Sequence, residues 1–241
     1  MQHKSKNLEE ITGFLSENLG KKKAVVGVSG GIDSATVLML LKKVLGKDSI
    51  VAVFMPDEGT PESDYRDVNE LAEASGVDVK TVNIQPMVDA FRKTLSASDP
   101  KIIGNMKSRV RMVTLYYHSN LYNGLVVGTT NKSENLVGYF TKYGDGGCDI
   151  EPIIGLYKHE VRELARELDV PISIINKRPS AGLWANQFDE TELGMSYDDL
   201  DEILKDLFER KTGEISGRHR KVHLMYLNSR HKRRMPLTKD N

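Results

Sequence analysis

The stretch AVVGVSGGIDSATVLMLL, Ala24 to Leu41, decides the fold. Its first part, AVVGVS, is a continuous apolar run of strand length. A glycine-rich turn follows, and DSATVLMLLKKVLG then reads as a helix closed by Gly46. Strand, glycine turn and helix in succession are the start of a phosphate-binding loop. The helix N-terminus offers N–H groups without intrahelical partners and the positive end of a dipole. Gly27, Gly30 and Gly31 permit a tight turn and a close ligand approach, while Ser29, Asp33 and Ser34 add hydroxyls and a carboxylate. Yet the turn has no lysine. A Walker loop requires GxxxxGK[ST] and a dinucleotide loop GxGxxG; neither pattern is present. The bland alternative is a βα turn whose aspartate or serine merely caps the helix.

Outward from this stretch, strands and helices alternate. Leu8, Ile11, Leu15 and Leu19 recur at helical spacing. SIVAVFMP is a second strand ended by Pro56, ESDYRDVNELAEASG a helix closed by Gly76, and VDVKTVNI a third strand. QPMVDAFRKTL and GNMKSRVRMVTLYYHSNLYNG are helical, LVVGTT is a fourth strand, and LYKHEVRELARELDV carries Val161, Leu164, Ala165 and Leu168 on one face. Unbroken apolar strands between helices specify an α/β fold. We expect an open, mostly parallel, Rossmann-like sheet of five strands with helices on both faces. Residues 1–241 are read as one domain. Ligands of such sheets sit beyond the strand C-termini, so the loops after Val28, Met55, Ile84 and Val127 are the candidates. Residues 140–148 and KRPSAGLWANQFDETELGM lack periodicity and read as loops that could shield a reaction from water.

Composition narrows the function. The chain has 34 Lys and Arg against 34 Asp and Glu, a balance that disfavours a nucleic-acid coat. Its single cysteine, Cys148, excludes an internal disulfide and a CxxC site, and aspartate beside it disfavours a thiolate. No apolar run approaches the ~20 residues of a membrane helix, and the N-terminus lacks a signal-peptide core. A cytoplasmic protein without membrane or nucleic-acid partner is expected. His3, His118, His159, His219 and His223 show no metal-ligand spacing beyond an i, i+4 pair at 219 and 223, which lacks a third ligand.

SGGIDS after a strand resembles the PP-loop of the N-type ATP pyrophosphatases, which split ATP between its α- and β-phosphates. The region from Gly128 to Lys158, with GT, Glu134, GYFTKYGDGGCD and the closing lysine, resembles the signature of the NAD synthetases. NMKSRVRM and HKRR extend that resemblance over most of the chain. It implies an adenine nucleotide α-hydrolase-like fold and an ATP site at Gly27, Val28, Ser29, Gly30, Gly31, Ile32, Asp33, Ser34, Thr129, Lys158 and Ser180. It implies a Mg²⁺ held by Asp33 and Glu134, and deamido-NAD contacts at Arg109, Lys142, Asp149, His231 and Lys232. Ser180 stands where many members have threonine, and Thr130 where aspartate is frequent.

The implied reaction amidates deamido-NAD with ammonia, using ATP, through an adenylated intermediate. No side-chain nucleophile is needed, because the substrate carboxylate attacks. Asp149 is the candidate acceptor for the ammonium proton. Arg111, two residues from Arg109, points to another face and reads as a structural or surface charge. Glutamine-using members carry a separate amidase domain for which 241 residues leave no room, so free ammonia is the expected donor. A homodimer with the dinucleotide at the interface is also implied, with the first helix and KSRVRMVTLYYHSNLY supplying apolar surface. The competing readings are another PP-loop ligase, GMP synthetase-like or tRNA-modifying, and a non-catalytic ATP-binding module.

Overall fold

The computed structural model describes residues 5–184, 187–210, 217–236 and 239. His3 therefore lies outside the described residues, as do Ala185 and Asn186 of the second shielding loop. In chain order the first elements are α1 (Lys6–Leu19), β1 (Lys23–Val28), α2 (Ile32–Val44), β2 (Ile50–Phe54), α3 (Glu62–Ser75) and β3 (Val79–Thr81). They are followed by α4 (Gln85–Leu95), α5 (Pro100–Tyr122), β4 (Gly124–Val127) and α6 (Lys132–Val137). The last part comprises α7 (Lys158–Glu167), α8 (Ile172–Ile175), α9 (Asp189–Leu193), α10 (Tyr197–Lys205) and α11 (Gly217–Asn228).

The sheet is parallel and runs β3-β2-β1-β4. Val26 of the central strand pairs with Ala52 on one side and Val127 on the other. Alternate residues of β1 feed different cores, as the two-residue period of a strand requires. Ala24, Val26 and Val28 pack with α1, α2, α3 and α7. Val25 joins Val51, Val53 and Met55 against Val88 of α4 and Val110 of α5. A third cluster, around Tyr157, Tyr197, Leu200 and Val222, sets α10 and α11 against α6. That small helical layer carries no strand, and its periodicity escaped the sequence reading.

Several features differ from expectation: α5 starts at Pro100 rather than Gly104, and β3 covers only Val79–Thr81. Among the described residues the sheet has four strands, not five. At the place a fifth would occupy, Ile150 makes only an isolated bridge to Val127. The Asp149 carboxylate accepts the Val126 N–H there at 2.8 Å, so a side chain satisfies an edge donor of the last strand. α2 is capped by Leu45 rather than by Gly46, which opens a short 3₁₀ turn instead.

The strand order places the topological switch between β1 and β4, and a cleft opens there at the strand C-termini. Loops after β1, β2 and β4 line it, whereas the expected loop after Ile84 does not. β3 is the far edge strand, which puts that loop away from the switch point. No described helix is long and apolar enough to cross a membrane. Leu38 of α2 is fully buried, so Leu38→Ala should cost about 2–5 kcal/mol in urea unfolding. Phe14→Ala, on the exposed side of α1, should cost under about 1 kcal/mol in the same measurement.

Candidate active site

The cleft has a volume of about 790 Å³ and is lined along one wall by Gly27, Val28, Ser29, Gly31, Ile32, Asp33 and Ser34. α2 starts at Ile32 with no side-chain cap on its first turn. Its dipole end is thereby left toward the cleft. The turn is braced from within: Ser34 Oγ donates to the Gly31 carbonyl at 3.0 Å, and Ser29 N–H donates to Ser34 Oγ at 3.2 Å.

An ionic node sits beside the turn. Lys158, only 2 % exposed, donates from Nζ to Asp33 Oδ2 at 2.5 Å and to Glu134 Oε1 at 3.1 Å. Three elements converge on it: α2 brings Asp33, α6 brings Glu134 and α7 begins with Lys158. Asn131 orients two of them. Its Nδ2 donates to Asp33 Oδ1 at 3.0 Å, and its Oδ1 caps α6 by accepting the Glu134 N–H at 2.9 Å. Asp201 steadies the other side, accepting from the Ser133 hydroxyl and from the His159 N–H, while Ser133 Oγ accepts the Lys158 N–H at 3.0 Å.

Two half-buried carboxylates face one buried ammonium. Burial alone would lower the Lys158 pKa, but Asp33 and Glu134 outweigh it and hold the group above its ordinary value, charged. Glu134 is pushed up to about 8, by burial first and by Asp33 and Asp189, against the opposing charge of Lys158. Asp189, buried nearby, is also raised by burial. Tyr197, wholly buried, links the two by hydroxyl contacts of 3.2 Å to Glu134 and 3.1 Å to Asp189.

Thr129 and Ser180 also line the cleft. Ser180 Oγ donates to the Gln187 carbonyl at 2.6 Å, a tie across its own loop. The residues implied for the dinucleotide divide. Lys232 lines the cleft and donates to the carbonyls of Gly138 and Phe140 at 2.8 and 2.7 Å. Lys142 and His231 meet in a separate depression, where Lys142 Nζ donates to the His231 carbonyl at 2.5 Å. Arg109 reaches the Lys142 carbonyl at 3.3 Å and is not part of the cleft lining.

Asp149 is placed elsewhere. Besides the Val126 N–H, it accepts the Tyr116 hydroxyl at 3.0 Å, and it does not line the cleft. Its carboxylate is spent on the sheet edge, so the geometry gives it no path to a proton inside this cleft. Cys148 does line the cleft, but burial and the neighbouring Glu151 push its thiol well above the usual range, as an inert thiol requires. Among the described residues no group of three His, Cys, Asp or Glu is arranged to hold a metal.

Sequence reasoning missed several contributors. Arg111, read as a structural charge, does form a buried ion pair, 2.8 Å from Asp57, but it also lines the cleft. Lys107 lies on the same carboxylate at 2.9 Å. Burial raises Asp57, yet Lys107, the Gly59 N–H and Arg111 hold it below its ordinary value. Asn131 had a signal, since NKSE has the spacing of a capping box. Asp189 and Tyr197 had none, because their role depends on folding back from some fifty residues beyond Glu134.

These features define a class: an open parallel α/β protein with an anion-receptive glycine turn and a paired-carboxylate node at the switch point. The family model for NAD synthase matches residues 6–236. An NH(3)-dependent NAD(+) synthetase of Picrophilus torridus is 56 % identical over 228 residues, 95 % of this chain and 92 % of that one. The structure of an NMN synthetase from Francisella tularensis superposes with a TM-score of 0.88 at 37 % identity, covering 98 % of both chains. An NH3-dependent NAD synthetase from Campylobacter jejuni, in complex with nitrate, gives 0.83 at 32 % identity over 97 % of both. The chain belongs to the NAD synthase family.

The buried acid Glu151 supplies a test of this geometry. It accepts the Thr130 N–H at 3.2 Å and the Cys148 thiol at 3.1 Å, and burial pushes it up to about 7. The native state thus holds a proton that the unfolded chain releases near its ordinary carboxylate value. The stabilisation is complete below that value and is lost as pH rises to 7. Urea midpoints from pH 4.5 to 8 should fall less steeply in Glu151→Gln than in the parent chain.

Proposed function

We propose that the protein amidates deamido-NAD with ammonia at the expense of ATP, giving NAD, AMP and pyrophosphate. The observation that carries this reading is the Lys158 node, with Asp33 and Glu134 beside the SGGIDS turn, in a chain of this family. The nicotinate carboxylate attacks the α-phosphorus, and the bond to the pyrophosphate breaks. Ammonia then adds to the acyl carbon, loses a proton, and AMP leaves. Activation is needed because AMP leaves readily where hydroxide does not.

The first step brings an anion onto a polyanion. The turn's N–H groups, the α2 dipole and Lys158 offset that repulsion and take up charge growing on the pyrophosphate. Thr129 and Ser180 offer hydroxyls to the nucleotide. We infer that Asp33 and Glu134 hold Mg²⁺. The Lys158 ammonium bridging both carboxylates marks a cation position, and their hard oxygens suit that ion. When bound, the ion neutralises triphosphate charge. Lys142 and His231 of the second depression, with Arg109 on the Lys142 carbonyl and Lys232 in the cleft, are assigned to the dinucleotide.

A homodimer is supported by the exposed stripe of Val113, Tyr117 and Leu121 along α5. α1 contributes less than its sequence implies, because Leu8, Ile11, Leu15 and Leu19 are spent on the protein's own core. We read the enzyme as one that takes free ammonia, in keeping with the names of its relatives, and as cytoplasmic.

The Francisella neighbour raises a second reading, amidation of the mononucleotide acid. With ammonium and ATP, kcat/KM for deamido-NAD should exceed that for nicotinate mononucleotide; the reverse order would select the second reading. Labelled ATP should yield AMP and pyrophosphate, and formation of ADP and orthophosphate would refute both. Asp33→Asn should lower pyrophosphate release by about 10²-fold or more.

A further inference from the structure

The glycine turn lacks its own lysine, but a lysine reaches it from far along the chain. Lys177 follows α8 and lines the cleft. Its Nζ donates to the Gly30 carbonyl at 3.3 Å, to Asp64 Oδ1 at 2.7 Å and to Asp67 Oδ2 at 2.5 Å. Both acids belong to α3, against which the turn leans: a Cβ on Gly30 would lie 3.2 Å from the Asp64 carbonyl oxygen and 3.3 Å from Asp67 Cβ.

Gly30 has φ 75°. Glycine accepts either sign of φ at little cost, so the peptide after it can turn its carbonyl to either side. For an anion site that choice matters. A carbonyl oxygen facing a phosphate repels it, whereas an N–H attracts it. A charge-assisted hydrogen bond to the Gly30 oxygen selects one side. The same ammonium is gripped by two carboxylates of α3, which fixes where it stands relative to the Gly30 carbonyl.

We propose that Lys177 is a positioning residue for the glycine turn, holding the Gly30 carbonyl back against α3 so that the turn's N–H groups face the β- and γ-phosphates. This rests on the ATP-dependent reading above and extends it to a residue outside the turn.

The test compares ATP with AMP, which lacks the phosphates in question, by calorimetry on the full chain. Lys177→Met should weaken ATP binding by about tenfold or more and leave AMP binding unchanged. Lys177→Arg should recover part of the loss. Asp64→Asn combined with Asp67→Asn loosens the grip on Lys177 while leaving the turn's own residues and the α3 backbone beside it unchanged, and should weaken ATP binding in the same direction. A lysine acting by direct phosphate contact gives the opposite sign, because removing its competitors would tighten ATP binding. Tighter binding in the double variant, equal losses of ATP and AMP in Lys177→Met, or no loss at all would each overturn the proposal. If the parent chain bound no ATP, the functional reading itself would fall.

Discussion

The site depends on one ammonium between two carboxylates. Lys158 is buried with Asp33 and Glu134, and each of the three is delivered by the start of a different helix. The buried ammonium would be costly there without the two carboxylates, since an unpaired buried charge is penalised. Together they lock the mutual placement of α2, α6 and α7. The glycine turn, the β4 loop and the helical layer around Tyr197 are thereby held in one frame. Burial first, and then the excess of neighbouring acids over one base, makes Glu134 hold its proton more tightly than an ordinary glutamate. A second cation entering the cleft would relieve that excess.

The same logic recurs around the cleft. Asp57 is shared by Lys107 and Arg111, and Lys177 is shared by Asp64 and Asp67. Each cluster joins a loop at a strand end to a helix behind it. Their value lies less in net stability, which desolvation erodes, than in fixing where loop atoms stand. Catalysis by positioning and electrostatics needs such fixed loops, because the dipoles that receive growing charge must be in place beforehand. Gly104 shows a related economy within α5. A Cβ there would meet the Trp184 ring at 3.1 Å, so a glycine inside a long helix admits the loop over the cleft.

Family membership and local geometry answer different questions. The resemblance to NAD synthases spans nearly the whole chain and fixes the chemistry expected of it. The geometry then separates the implied residues. Asp33, Glu134, Lys158, Thr129, Ser180 and Lys232 share one cleft, whereas Lys142 and His231 line another and Asp149 borders the sheet.

The sequence alone determined the parallel α/β architecture, because buried strands and amphipathic helices impose different periods on apolar residues. It also determined the anion-receptive turn and the acids beside it, since glycine, serine and aspartate at a helix start act through local backbone chemistry. What only the tertiary structure decided is which distant charges meet. Lys177 on Gly30, Arg111 on Asp57, Tyr197 on Glu134 and the Asp149 carboxylate on the Val126 N–H all join residues tens to more than a hundred positions apart. Side-chain periodicity carries no record of such pairings, because any surface lysine or acid fits the local pattern equally well. Their partners are fixed only when the packing of whole elements brings them within a few ångströms.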